Sequence, residues 1–125
     1  MIPGPEPSYV PSPAVQEFIV ASLESASVVL TVCTGVLPAA HSGILKGRTA
    51  TAPRELLPML KSTFPETEWQ DRRWVQDGKI WTSGGVSNGL DMMSAFMRQT
   101  WDGELVEMIL SMVDVGSRGQ DYPAV

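Results

Sequence analysis

The run Val28–Val29–Leu30–Thr31–Val32 stops at Cys33, and Thr34–Gly35 leads at once into Val36–Leu37–Pro38–Ala39–Ala40. A short β-branched, apolar run predicts a buried strand, and the small residues after it predict a helix beginning inside the turn. A strand–turn–helix of this kind delivers one side chain to the C-terminal edge of a sheet. The turn needs a glycine where strand and helix backbones close on each other. Cys33 would then stand at a helix N-terminus, where the helix dipole and free N–H groups stabilise negative charge on sulfur. The Thr34 N–H, one residue on, points toward where an oxyanion would form. The other reading of the same residues is a buried cysteine acting as a small hydrophobe at a strand end. The local pattern leaves both open.

Composition narrows the classes. A chain of 125 residues, 43% of them hydrophobic, has material for one domain with a real core. Its net charge of −5 argues against a nucleic-acid or anionic-membrane surface, because either partner wants clustered Lys and Arg. Here only Arg72–Arg73 are adjacent, and Asp71 precedes them. The single cysteine excludes an internal disulfide and suits a reducing compartment. One histidine and one cysteine do not make a zinc site, and nothing else in the chain calls for a cofactor. No apolar run approaches the ~20 residues of a membrane span. Met1–Ile2–Pro3–Gly4–Pro5–Glu6–Pro7 lacks the basic-then-apolar order of a secretory signal, so the expected location is the cytoplasm.

Read in order, residues 3–13 are proline-rich and predict an extended loop. Ser12 and Pro13 are cap and first-turn signals for a helix whose apolar face is Val15, Phe18, Ile19 and Leu23. A strand over 26–32 and the turn helix over 34–42 follow, closed by Gly43. Pro53 opens a helix to about Phe64, with Leu56, Leu57, Leu60 and Phe64 inward; Pro58 falls early enough in it to be tolerated. Short strands are predicted over 67–70, 73–76 and 79–82, the last two joined at Asp77–Gly78. After Gly84–Gly85 a long helix places Leu90, Met93, Met97 and Trp101 on one stripe, with Asp91 as a first-turn carboxylate. Gly103 breaks it. A last helix turns Leu105, Met108, Ile109 and Met112 inward, and residues 116–125 form a tail expected to be flexible. The alternation predicts an α/β fold with a mainly parallel sheet.

Several of these stretches together resemble the ThiJ/PfpI family of the class I glutamine amidotransferase-like superfamily, and most of all its isonitrile hydratase-like branch. They are Val32–Cys33–Thr34–Gly35, the run from Ser42 to Thr51, the run from Trp74 to Val86, and Asn88–Gly89–Leu90–Asp91. Ile2–Pro3–Gly4–Pro5 resembles the family's strand-to-loop segment ahead of the nucleophile. The resemblance runs from about Ile2 to Trp101. It implies a flavodoxin-like or Rossmann-like three-layer sandwich, truncated at the N-terminus, with residues 1–115 as a partial domain of that kind. It also implies Cys33 as nucleophile, the Thr34 and Gly4 amides as an oxyanion hole, and a small electrophile as substrate, in a homo-oligomer. Two departures are expected to weaken catalysis. The family's acidic residue lies in a strand–helix unit that precedes this chain's start. A histidine that many members place after the Ala–Thr pair has Pro53 in its position. Without activity, the same residues describe a binding or redox-sensing module, or a fragment that needs a partner chain.

Overall fold

The computed structural model describes residues 1–116 and 118–124. Ser12 opens α1 (Pro13–Ser25): its hydroxyl oxygen accepts the Val15 N–H at 3.4 Å, and Pro13 takes a first-turn position where its missing N–H costs nothing. The chain then enters β1 (Val29–Thr31), buried at all three residues. A 3₁₀ turn over Cys33–Gly35 leads into α2 (Val36–His41), and Gly43 follows in the left-handed region at φ +82°. Next come β2 (Thr49–Ala50), a 3₁₀ turn over Arg54–Leu56 and α3 (Leu57–Thr63). Pro58 sits in the first turn of α3, so the helix runs without losing a hydrogen bond to it. β3 (Glu68–Trp69), β4 (Trp74–Asp77), β5 (Ile80–Ser83), α4 (Val86–Thr100) and α5 (Gly103–Met112) complete the described elements.

The main sheet has the order β1–β5–β4. β1 and β5 are parallel, with Thr31 opposite Thr82, while β4 and β5 form an antiparallel hairpin. Asp77 pairs with Ile80, so the turn is Gly78–Lys79, one residue later than the sequence signal, and Gly78 supplies φ +58°. On the far side of β1, Ile2 bridges Thr31 in parallel: its N–H donates to Leu30 O at 2.7 Å and its carbonyl accepts from Val32 N–H at 3.2 Å. β2 and β3 make a second parallel pair. Two side chains tie it to the hairpin, Thr49 N–H donating to Asp77 Oδ2 at 2.7 Å and Thr51 N–H to Thr82 Oγ1 at 2.8 Å.

Pleating sends alternate residues of each strand to opposite faces and so creates two cores. Val29 and Ile80 join Ile19, Val36, Leu37, Leu57 and Leu60 on the face covered by α1, α2 and α3. Leu30 and Trp81 face the other way and pack under α4 with Met92, Trp74 and Phe96. The result is the three-layer α/β/α arrangement that the family resemblance implies. No helix among the described residues is long and apolar enough to cross a membrane.

Three helix faces differ from the sequence pattern. In α1 only Ile19 is fully inward; Phe18 is 71% exposed, beside Met1, Ile2, Ala26 and Val28. In α4 the buried face is Asn88, Gly89, Asp91, Met92 and Ser94, while Leu90 and Trp101 face outward. The cause is Gly89, where a Cβ would stand 2.9 Å from Val32 Cγ1: the helix is rolled to put its smallest residue on the strand. Met92 and Phe96, three and seven residues on, follow it inward. In α5 the inward pair is Val106 and Leu110, and Leu105, Met108 and Met112 are exposed. The helical run does break here, at Trp101–Asp102, and Gly103 is the first residue of α5, capped by Asp102, whose carboxylate accepts the Glu104 N–H.

Candidate functional site

The strand before the turn is ordinary extended backbone, with Val32 at φ −116° and ψ 127°. Cys33 then flips to φ +55°, a left-handed conformation that costs a non-glycine residue energy and persists only where the surroundings enforce it. What enforces it lies across the turn. At Gly35 a Cβ would fall inside the Ile2 carbonyl oxygen and 3.0 Å from that of Pro3. At Gly4 a Cβ would stand 2.5 Å from Thr34 Oγ1 and 3.3 Å from Thr34 N. The Thr34 hydroxyl donates to Pro5 O at 2.6 Å and fixes the proline-rich loop against the turn. Cys33, Thr34 and Gly4, the three site residues expected from sequence, therefore come together from two segments, with Cys33 free and partly exposed.

β1 and β5 run parallel and end side by side, with Thr31 opposite Thr82, so Cys33 and Gly84 both follow the same edge of the sheet. The same edge holds groups that the sequence pattern does not bring together. At Gly84 a Cβ would stand 2.8 Å from Asn88 Oδ1 and 3.3 Å from Ala52 O, with the Tyr122 hydroxyl in ordinary contact at 3.4 Å. The Tyr122 hydroxyl donates to Asn88 Oδ1 at 3.1 Å, and the guanidinium groups of Arg54 (4.4 Å) and Arg73 (4.9 Å) both lie over its ring. Burial holds the Tyr122 phenol above its ordinary value of 10, with the Arg54 charge pulling the other way. Arg54 is in turn paired with Asp71 at 2.8 Å, and that hydrogen bond raises its own pKa further.

Asp91, expected as a first-turn carboxylate, is in the second turn of α4 and is only 3% exposed. Its partner is Arg118, which reaches it through Nε at 3.1 Å and Nη2 at 2.7 Å. The hydrogen bond to Asp91 raises the pKa of Arg118. Asp91 is thus a buried ion-pair anchor and not a cap. Where the composition predicts a frayed tail, residues 118–122 make these contacts with the body of the fold.

Other candidates resolve as packing. His41 ends α2 and meets Phe64 edge-on at 5.1 Å between ring centroids. Trp74 stacks on Trp81 at 5.4 Å, and Trp81 meets Phe96 edge-on. Glu6 is exposed and accepts the Ser8 hydroxyl. Pro53 stands before Arg54 at the edge and offers no titratable group. No group of three His, Cys, Asp or Glu among the described residues could hold a metal ion.

A left-handed residue ending a parallel strand, with glycines admitting a neighbouring loop, is a specific arrangement, and comparison with known proteins agrees with it. The DJ-1/PfpI family model matches residues 1–99. The chain belongs to the DJ-1/PfpI family. It is 37% identical over 78 residues to the isonitrile hydratase of Pseudomonas putida, a match over 60% of this chain and 32% of that protein. It is also 37% identical over 68 residues to the HTH-type transcriptional regulator GlxA of Rhizobium meliloti, over 54% of this chain and 21% of the regulator. Among solved structures, a ThiJ/PfpI family protein from Pseudomonas syringae superposes with TM-score 0.74 at 24% identity, covering 86% of this chain and 44% of that one. Drosophila melanogaster DJ-1beta does so with TM-score 0.70 at 18% identity, covering 84% and 55%. The fold is therefore that of DJ-1/PfpI proteins, and this chain spans about half the length of those solved relatives.

Proposed function

We propose that this DJ-1/PfpI chain acts through Cys33 as a nucleophile on a small electrophilic carbon, in slow chemistry of the isonitrile hydratase type. The left-handed backbone of Cys33 at the end of β1 carries the reading, because that strain has no use in a merely buried thiol. Thiolate attack on the terminal isonitrile carbon forms a C–S bond, and that carbon takes a proton from water. The hydroxide left adds to the same carbon. The C–S bond then breaks and returns the thiolate, while the proton on oxygen passes to nitrogen and an N-substituted formamide leaves. The Thr34 and Gly4 N–H groups are the donors proposed for charge building up beside the sulfur. Pro53 stands where the family resemblance puts a histidine, so water has to move these protons unaided and turnover is weak. The lone free cysteine suits a reducing cytoplasm, and the exposed apolar surface at Met1 and Phe18 supports a homodimer.

A second reading, a binding or redox-sensing module without turnover, is favoured by the same Pro53 and by the likeness to a transcriptional regulator. The two separate in one assay. Formamide appearance from an aryl isonitrile is expected above background with the native chain and at background with Cys33→Ala. Equal rates for the two proteins would discard catalysis and leave the binding module.

A further inference from the structure

The segment after α5 returns to the sheet edge where Cys33 lies, and its anchors are all polar. Arg118 grips the buried Asp91 carboxylate on α4, and its Nη2 also donates to Ser87 Oγ at 3.0 Å. Arg73 N–H donates to Gln120 O at 2.7 Å, and the Arg73 guanidinium donates to the carbonyls of Gly119 and Asp121. Arg72 pairs with Asp121 at 3.0 Å. Tyr122 closes the series against Asn88.

These anchors share one end of the fold. β4 runs antiparallel to β5, so Arg73, just before β4, lies at the C-terminal end of β5, where its carbonyl accepts the Gly84 N–H at 2.9 Å. Asn88 follows the same turn, and Gly89 beside it touches Val32, the neighbour of Cys33. The segment thus lies at the end of the sheet that carries the elbow. It buries little: Arg118, Gly119 and Asp121 are exposed, and Gln120 and Tyr122 are half-buried. A segment tied by a few polar contacts to a packed body opens at far lower cost than that body unfolds.

We propose that residues 118–122 are a strap that gates Cys33, closed by the Asp91–Arg118 pair and the Arg54–Tyr122–Arg73 stack, and released to admit a bulky electrophile. The strap takes Cys33 as the reacting group from the functional reading above, but its test requires only a thiol. Cys33 is the sole cysteine, so labelling reports on it alone. Rates are measured with iodoacetamide and with a polyethylene-glycol maleimide on the native chain, Tyr122→Ala and Arg118→Gln. Loss of either anchor is expected to speed the bulky reagent by roughly tenfold and iodoacetamide by less than about twofold, as for a local opening. Unchanged rates in folded variants, or equal acceleration of both reagents, overturn the strap. Hydrogen exchange on the native chain covers the case in which a variant does not fold. The Arg73 and Arg118 amides are expected to exchange well before those of Trp81 and Thr82, and exchange of all four together overturns the proposal. Gated labelling without turnover would discard the chemistry and keep the strap; turnover with ungated labelling would do the reverse.

Discussion

The elbow and the C-terminal rim of this fold are held by opposite means. At the elbow, three glycines (Gly4, Gly35 and Gly89) let backbone and helix approach until a single methyl would not fit. These glycine contacts are steric and add to the hydrogen bonds that Thr34 and Ile2 make across the turn. At the rim, α5 buries only Val106 and Leu110, and the segment after it is secured by Arg118, Arg73 and Tyr122. Those contacts are polar, partly hydrated and separable one by one. A reacting group needs fixed surroundings and its approach needs a movable one, so the two regions suit the two halves of one site.

Mutations should expose that difference. The largest effect is expected for Gly35→Ala, whose new methyl must displace the Ile2 carbonyl; a loss of about 3 kcal/mol or more in urea unfolding is predicted. A loss below about 1 kcal/mol would mean that the elbow yields and the contrast is wrong. Met92→Ala, under the elbow side of α4, should cost about 2–5 kcal/mol because the residue is fully buried. Arg118→Ala comes next. It strands the Asp91 carboxylate in a dry site, and adding Asp91→Asn should restore part of the lost stability, since the cost is an uncompensated charge. No recovery in the double variant would move the strap's hold elsewhere.

The pH dependence of the rim is smaller. Burial raises the Tyr122 pKa, so its share of stability is fully present below the ordinary phenol value. That share is lost as pH rises through the folded value, when the ring can no longer donate to Asn88. Tyrosinate absorbance in a Tyr9→Phe background should show a midpoint above that of the urea-unfolded chain. A midpoint at or below it breaks the prediction. The smallest effect is expected for Met108→Ala, on the exposed side of α5: within about 0.5 kcal/mol of native in the same unfolding assay.

How much of this was legible in the sequence follows the same division. The elbow is local: a β-branched run, a cysteine and a glycine within a few residues announce both the turn and its position. The cap at Ser12, the proline opening α1 and the hairpin at Gly78 are equally local and lie within a residue or two of where their signals put them, whereas Pro53 opens only a 3₁₀ turn and α3 starts at Leu57. Helix facing was not legible in α4 and α5. Apolar spacing favoured the stripe through Leu90, Met93 and Met97, but the contact at Gly89 selects a different one, and close approach of a glycine leaves no mark in a hydrophobicity pattern. The partners of the tail were not legible for a related reason. Arg118 and Tyr122 find partners 27 and 34 residues away, and no local rule pairs them. The one hint was Asp91 itself, an acidic residue between Leu90 and Met92 that, once buried, needs a cation.

The account rests on Cys33 being activated by the turn that holds it. The most direct test is its rate of reaction with iodoacetamide at neutral pH, in the folded chain and in the chain unfolded by urea, each corrected with a free thiol in the same solvent. The account predicts faster reaction when folded, because the elbow holds the sulfur, partly exposed, next to the Thr34 and Gly4 N–H groups proposed as donors to the developing charge. Slower reaction in the folded chain would contradict it and return Cys33 to the role of a small hydrophobe at the end of a strand.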